Sequence, residues 1–228
     1  MLEIFTCPQG SDEWFKVRRG IPSASEFHSV LAKGEGKTRR TYMMRLIGER
    51  LTGESSSHFT NEHTERGHVM EAEARAMYSF DVEAPLKQVG FVHRTVFVDT
   101  GLTFGVGCSP DSLVGEDGLL EIKTKLSHLQ LEVLLADKVP SEHIAQCQGA
   151  LWVTGRNWLD FVSYWPGLPL FVKRVYPDPE YFERLETGLL AFEVELQELM
   201  AKLPAAPTTR APRETGFTDL DQEKLNGR

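Results

Sequence analysis

The sequence predicts a mixed α/β fold of the α+β kind, in which helices flank a central mixed sheet that includes an antiparallel meander. Three observations predict it. Apolar residues recur at helical spacing through most of the first 80 positions. Between residues 86 and 124 the period drops to that of strands, with turns at Asp99-Thr100-Gly101 and Gly115-Glu116-Asp117-Gly118. Helical spacing returns from residue 127 and is broken once, by two strand-like segments around Pro166-Gly167. A chain of 228 residues suits one domain. At this size roughly 70% of the unfolded surface is buried, so no disulfide or structural metal is needed to fold. The domain is expected to occupy residues 1–203, and residues 204–228, rich in Pro, Thr and charge, read as a flexible tail.

The first helix is expected over residues 11–19, begun by the hydroxyl of Ser11 and stopped by Gly20, with Trp14, Phe15 and Val17 available for packing. Arg18 and Arg19 sit at its carboxyl end, where a cation is favoured by the helix dipole alone. Ser23 and Glu26 have the spacing of a capping box, which would start a helix running to Ala32. Its free N–H groups, with Ser25 in the first turn, form either an ordinary capped end or a seat for phosphate. Residues 38–51 place Tyr42, Met43, Leu46, Ile47 and Leu51 on one helical stripe, and 54–58 form a polar loop. A longer helix over 61–80 is expected to pack through Val69, Ala72, Ala76, Met77 and Phe80, with Glu71 beside that stripe. A lone glutamate in such a place is usually solvated. His58, His63 and His68 recur every five residues, which does not bring them to one face, so no metal site is expected there.

Strands are expected at 88–93, 96–99, 104–107 and 119–124, then helices at 127–136 and 141–154. Two further strands at 158–164 and 170–176 precede a final amphipathic helix over 178–202.

The formal net charge of −8 argues against coating DNA through bulk electrostatics. Charge is uneven, however. Lys33, Lys37, Arg39, Arg40 and Arg45 crowd one region, and screening beyond about 10 Å lets such a local field matter. The acids Glu180, Glu183, Glu186, Glu193, Glu195 and Glu198 crowd the last helix. The three cysteines are far apart and form no C-x-x-C pair, as expected of buried thiols in a reducing compartment. No basic leader and no apolar run of membrane-spanning length is present, so a cytoplasmic protein with no membrane association is expected.

Chemistry concentrates in Cys108 to Lys125, which reads CSPDSLVGEDGLLEIKTK. Asp111 lies at a turn, and ten positions on an apolar run carries Glu121 with Lys123 two residues beyond. Strand alternation points Glu121 and Lys123 to one face while Leu120 and Ile122 point to the other. Two carboxylates suit a hard divalent cation, and a neighbouring ammonium can orient a water nucleophile or stabilise developing negative charge. Pro110-Asp111 followed by Glu121-x-Lys123 is the signature of the PD-(D/E)xK nucleases. On these residues alone, an edge hairpin with solvated charges fits as well.

Four separated motifs occur in one order: WFKVRRGIPSASE, RGHVME with its mid-helix glutamate, CSPD with EIK, and IAQCQGALW. In that order they resemble the phage lambda exonuclease family of viral recombination nucleases, over most of residues 12–175. The resemblance implies a restriction-endonuclease-like core and a Mg²⁺-dependent 5′-to-3′ exonuclease acting on double-stranded DNA ends. It implies that Asp111, Glu121 and the backbone carbonyl of Ile122 are metal ligands, and that Glu71 helps to bind a second ion. Mn²⁺ is a possible substitute for Mg²⁺. Lys123 is similar to the family's catalytic lysine, and Arg18, Ser25, Ser109 and Gln146 fall where the family holds a terminal 5′-phosphate. A homotrimeric ring around DNA, and a single-strand annealing protein as partner in recombination, are implied as well. The family is expected to drive an apolar wedge into the duplex end from the segment before Glu71. Here residues 61–68 carry mostly polar side chains, so no wedge residue is identified. Two alternatives stay open: a structure-specific or restriction-type PD-(D/E)xK endonuclease, and a non-catalytic DNA-end-binding module.

Overall fold

The strand that carries Glu121 lies at the centre of the larger of two sheets. The structure, a computed structural model, describes residues 1–32, 37–55, 62–82 and 84–204, the side chains at 62–65 and 68 excepted. The expected tail from 205 onward, the three histidines, and most of the expected wedge segment lie outside the described residues or side chains. In chain order the elements begin with β1 (Leu2–Phe5), α1 (Asp12–Arg18), a short 3₁₀ turn (Ala24–Glu26), α2 (Phe27–Val30), α3 (Lys37–Thr52) and α4 (Glu62–Asp81). Five strands follow: β2 (Leu86–Lys87), β3 (Phe91–Phe97), β4 (Thr103–Cys108), β5 (Ser112–Val114) and β6 (Gly118–Thr124). The chain continues with α5 (Ser127–Ala136), α6 (Ser141–Thr154), β7 (Trp158–Tyr164), β8 (Phe171–Val175) and α7 (Pro179–Ala201).

One sheet has the order β2-β5-β6-β7-β8 and is mixed, because only β6 and β7 run parallel. That parallel pair requires a crossover, which α5 and α6 supply. The other sheet, β1-β3-β4, is antiparallel throughout. The predicted fold class therefore holds, while individual strands differ. Residues expected as two strands over 88–99 form the single strand β3. The expected meander is shared between the sheets, because Pro110 and Asp111 separate β4 from β5 and the chain changes sheet there. Neither β1 nor β5 was expected. The first is a mostly exposed edge strand, and the second has three residues, all buried, with no alternation to read.

The β6 strand divides two cores. Leu119 shares one with Cys147, Leu151, Leu159 and Phe161 beneath α6. Leu120 and Ile122 share the other with Met70, Ala74 and Tyr78 of α4. These α4 residues correct the expected stripe. Val69, Met77 and Phe80 are exposed, Phe80 at 90%, and so are Ala72 and Ala76. Apolar residues occur on both sides of α4, so periodicity alone could not choose. The small Ala74 lets the helix approach the sheet, and the Tyr78 hydroxyl donates to buried Asp160 at 2.7 Å. As a result Glu71 follows a buried residue and is half-buried itself.

Helix caps fix the entry to the site. Ser11 accepts from the Trp14 N–H at 3.2 Å, as expected of an N-cap. Ser23 does not cap: its side chain makes no cap bond, and the segment it opens is only a 3₁₀ turn and the four residues of α2. Pairing with β4 takes precedence, through a bridge between Ser23 and Gly107 and the Gly107 N–H donating to Pro22 O at 2.9 Å. Glu26 instead pairs with Arg45 at 2.8 Å. Part of the basic region is likewise neutralised from within, since Arg39 pairs with Glu195; nearby, Arg50 pairs with Glu193 across α3 and α7.

Candidate active site

The turn between β4 and β5 brings Asp111 against the middle of β6. Its backbone N–H donates to Leu120 O at 3.0 Å, and its Oδ2 accepts the Ile122 N–H at 2.5 Å. Glu121 and Lys123 share a face as alternation requires, with Lys123 Nζ 2.7 Å from Glu121 Oε1. Gln146, one turn into α6, donates from Nε2 to the same Glu121 oxygen at 2.5 Å. Glu121 is 3% exposed, so its charge is held by the ammonium and the amide rather than by water.

The electrostatics identify where charge is crowded. Burial pushes the Asp111 carboxyl well above the usual carboxylate range, and the nearby Glu121 and Glu71 push it further. Burial alone would depress Lys123, but Glu121, its hydrogen bond and Asp111 outweigh that and hold the lysine above its ordinary value. Lys123 thus stands here as an ammonium beside Glu121. Behind it His143 stacks on Phe161 with ring centroids 5.3 Å apart. Burial, then Lys125 and Lys123, hold the imidazole neutral by pushing its pKa down to about 4. Cys108 and Cys147 are buried free thiols beside Glu121, and burial first and that carboxylate second push both up, which makes them inert.

Glu71 reaches the same region from α4, where its Oε1 accepts from Arg75 Nη2 one turn on. As the side chains stand, no three His, Cys, Asp or Glu groups are gathered closely enough to hold a metal among the described residues. Glu71 and Glu121 are each turned to a cationic partner. What fits a hard divalent cation is the donor set itself: two carboxylates whose charge raises the pKa of a third, all with oxygen donors.

Beside this lies a cationic seat. Arg18 Nη1 donates to Ser109 Oγ at 2.9 Å and Nη2 lies 3.4 Å from Ser23 Oγ, which in turn is 3.3 Å from Ser25 Oγ. The guanidinium lies 4.0 Å over the Trp14 ring. Burial pushes its pKa down to about 10, so it stays charged at neutral pH. Among the described residues no carboxylate pairs with it. Ser109 Oγ accepts from both Arg18 and Trp14 Nε1, the latter at 3.1 Å, which leaves its own proton to donate. The turn behind Arg18 is braced. Gly20 has a φ of +66°, and an added Cβ would meet Arg50 Cγ at 2.6 Å. The Gly20 N–H donates to Glu49 at 2.9 Å, and Gly20 O accepts from Arg50 Nε at 2.8 Å.

The predicted residues thus fall into two groups joined by the link from Ser109 to Asp111. Asp111, Glu121, Ile122, Lys123 and Gln146 form one group, with Glu71 at its edge; Arg18, Ser25 and Ser109 form the other. Gln146, expected with the second group, is bonded within the first. Sequence reasoning missed Ser23, which it spent on a cap, and Trp14, which it read as packing only. It also missed Arg75, whose spacing of four from Glu71 was the available signal.

Two sheets, flanking helices and an acid-and-lysine centre on a middle strand define the class as a nuclease-type fold. Residues 13–157 match the model of the YqaJ-like viral recombinase domain, and the chain belongs to that family. Among solved structures it is similar to the alkaline exonuclease LHK-Exo from Laribacter hongkongensis, with 34% identity, a TM-score of 0.73, and 84% of this chain and 95% of that one covered. A second structure of LHK-Exo, in complex with dAMP, matches at 34% identity and a TM-score of 0.72 over the same shares. A phage-related exonuclease from Haemophilus somnus 129PT shares the fold, at 14% identity and a TM-score of 0.55, with 81% and 96% covered. A search of curated protein sequences finds none that matches. No helix among the described residues is long and apolar enough to cross a membrane.

Proposed function

We propose that the protein is a Mg²⁺-dependent 5′-to-3′ exonuclease that digests one strand of double-stranded DNA from a 5′-phosphorylated end. The 3′ single strand left behind would serve annealing-type recombination. The observation that carries this reading is the junction of the two groups: a hydroxyl-lined arginine bonded to Ser109, which stands two residues before Asp111 of the Asp111, Glu121 and Lys123 centre. Membership of a viral recombinase family and homology to an alkaline exonuclease solved with dAMP, a deoxynucleoside monophosphate, support it.

Each residue's part follows from its surroundings. Among the described residues no carboxylate is bonded to Arg18, and its planar fork, with the free Ser109 proton and the Ser23 and Ser25 hydroxyls, suits a terminal phosphate. Seating that group fixes which phosphodiester reaches Asp111, so removal advances from the 5′ end. Asp111, Glu121 and the Ile122 carbonyl would hold one Mg²⁺, or Mn²⁺ in its place, and Glu71 would help to hold a second. The bound metal supplies Lewis acidity that lowers the pKa of a water and neutralises charge on the leaving oxygen. Lys123, held as an ammonium by Glu121, donates to the water or to a phosphoryl oxygen. Gln146 orients Glu121. As a homotrimeric ring the protein would enclose DNA and offset its net charge of −8.

A time course on end-labelled linear duplex, with and without 5′-phosphate, beside closed circular DNA, tests the reading. Mononucleotides released from phosphorylated 5′ ends, stopped by EDTA and restored by Mg²⁺, are expected. Rapid cutting of circles would establish the endonuclease alternative instead.

A further inference from the structure

Arg75 has a place in the cleft that a helix-surface ion pair does not explain. It lies one turn after Glu71 on α4 and donates to the Glu71 carboxylate through Nη2. Its side chain is 16% exposed, and its Nε is buried with no hydrogen-bond partner among the described residues. A pair at this spacing is only weakly stabilising on a helix, whereas a desolvated N–H without an acceptor is costly. Both residues line a cleft of about 450 Å³ together with Gln9, Gln88, Val89 and Asp111. A guanidinium with an unspent donor, in a cleft of mixed polar and apolar lining beside the nuclease centre, is suited to an anion that the chain itself does not supply.

Resting on the nuclease reading, we infer that Arg75 is a phosphodiester contact held in reserve on Glu71. In the structure the guanidinium neutralises the Glu71 carboxylate. A divalent cation taken by Glu71 would stand against the same oxygen, and two cations at one carboxylate repel each other at close range. Arg75 would then turn into the cleft, where its fork would take the non-bridging oxygens of a phosphate in the bound strand. Cation and DNA binding are coupled through one residue: Arg75 opposes the first until the second accepts it. Arg75 acts on substrate position, apart from the 5′-phosphate seat at Arg18.

Wild type, Arg75→Ala and Arg75→Lys separate this from a structural pair. Mn²⁺ binding is measured without DNA by electron paramagnetic resonance of the free ion, and binding of a 5′-phosphorylated duplex in Ca²⁺ by fluorescence anisotropy across a salt series. Arg75→Ala is expected to bind Mn²⁺ several-fold more tightly and DNA about tenfold more weakly. Its slope of log affinity on log salt should fall by about 0.9, the contribution of one phosphate. Arg75→Lys should restore most of the slope. If Arg75→Ala does not fold, as judged by circular dichroism, the lysine variant carries the test, since loss of the planar fork should still weaken DNA binding. Unchanged DNA affinity and slope, or weaker Mn²⁺ binding in a folded variant, would overturn the inference while leaving wild-type cleavage intact. A wild type that neither binds Mn²⁺ nor cuts DNA would overturn the nuclease reading, and this inference with it.

Discussion

Gln146 and Glu121 are joined by a hydrogen bond in which the amide Nε2 donates to Oε1 at 2.5 Å, tying α6 to the central strand. The same oxygen lies 2.7 Å from Lys123 Nζ, so the amide and the ammonium together fix the carboxylate. Gln146→Ala should then act through the orientation of Glu121. A loss of roughly tenfold to a hundredfold in kcat or metal affinity is expected, the range for residues that orient a ligand. Preference for 5′-phosphorylated over unphosphorylated ends should hardly change. A selective loss of that preference, with kcat intact, would move Gln146 into the Arg18 seat.

Lys123 has its pKa raised by Glu121 and Asp111 against the effect of burial. A lysine raised in this way is an ammonium throughout the neutral range. Lys123→Ala should lower kcat by at least about 10² to 10³ while metal and DNA binding remain, as for removal of a charge-stabilising donor. A variant cutting at near wild-type rate would refute the role given to the lysine.

Alternation along 118–124 made the shared face of Glu121 and Lys123 legible, because a period of two leaves no choice once the strand is recognised. Spacing and cap chemistry likewise located α1, α3, α5, α6 and α7. What stayed hidden depends on contacts between distant segments. Ser23 has the residue partners of a cap, and only its isolated bridge to Gly107 turns it toward Arg18. The inner face of α4 could not be chosen, because Val69 and Met70, or Met77 and Tyr78, are neighbours of equal apolar character. Asp160 decides for Tyr78 from 82 residues away. The sheet change at Pro110 and Asp111 is a question of which strand β5 meets, and three residues carry no pattern to answer it.

His143 should make stability sensitive to mild acid. Its pKa in the fold is pushed down from 6.5 to about 4, chiefly by burial and then by Lys125 and Lys123, against a small opposing effect of Glu142. The unfolded chain therefore binds the proton more readily, so stability is full above about pH 6.5 and is lost as the pH falls toward 4. The loss amounts to about 3 kcal/mol at most. Asp111, raised in the fold, works in the opposite direction, so the difference between wild type and His143→Phe isolates the histidine. The phenylalanine keeps the stack on Phe161. The difference in urea midpoint between the two proteins should move against the wild type as the pH falls from 7 to 4; a difference that stays constant would show that His143 titrates normally.

Arg50 and Glu193 form a two-pronged pair, at 2.7 and 2.8 Å, between α3 and α7. Glu193 is 2% exposed, so removing its partner leaves a buried charge with only the amide of Gln197 at 3.0 Å. Arg50→Ala should cost about 3 kcal/mol, the usual consequence of breaking such a pair from one side. For a chain of this size that corresponds to a fall in Tm of roughly 10 °C. Arg39→Ala removes the neighbouring pair to Glu195, whose carboxylate is half exposed at 43%, and should cost less than about 1 kcal/mol. Replacing both members, as Arg50→Met with Glu193→Leu, should recover most of the stability, because apolar packing replaces the ion pair without an orphaned charge. It should not recover function fully. Arg50 Nε also holds Gly20 O, and through that turn it holds Arg18 in its seat. The double variant is therefore expected to regain its Tm while KM for 5′-phosphorylated duplex stays raised several-fold. Thermal melts and steady-state kinetics on the same preparations check both halves, and a double variant with wild-type KM would show that the Arg18 seat stands without the brace.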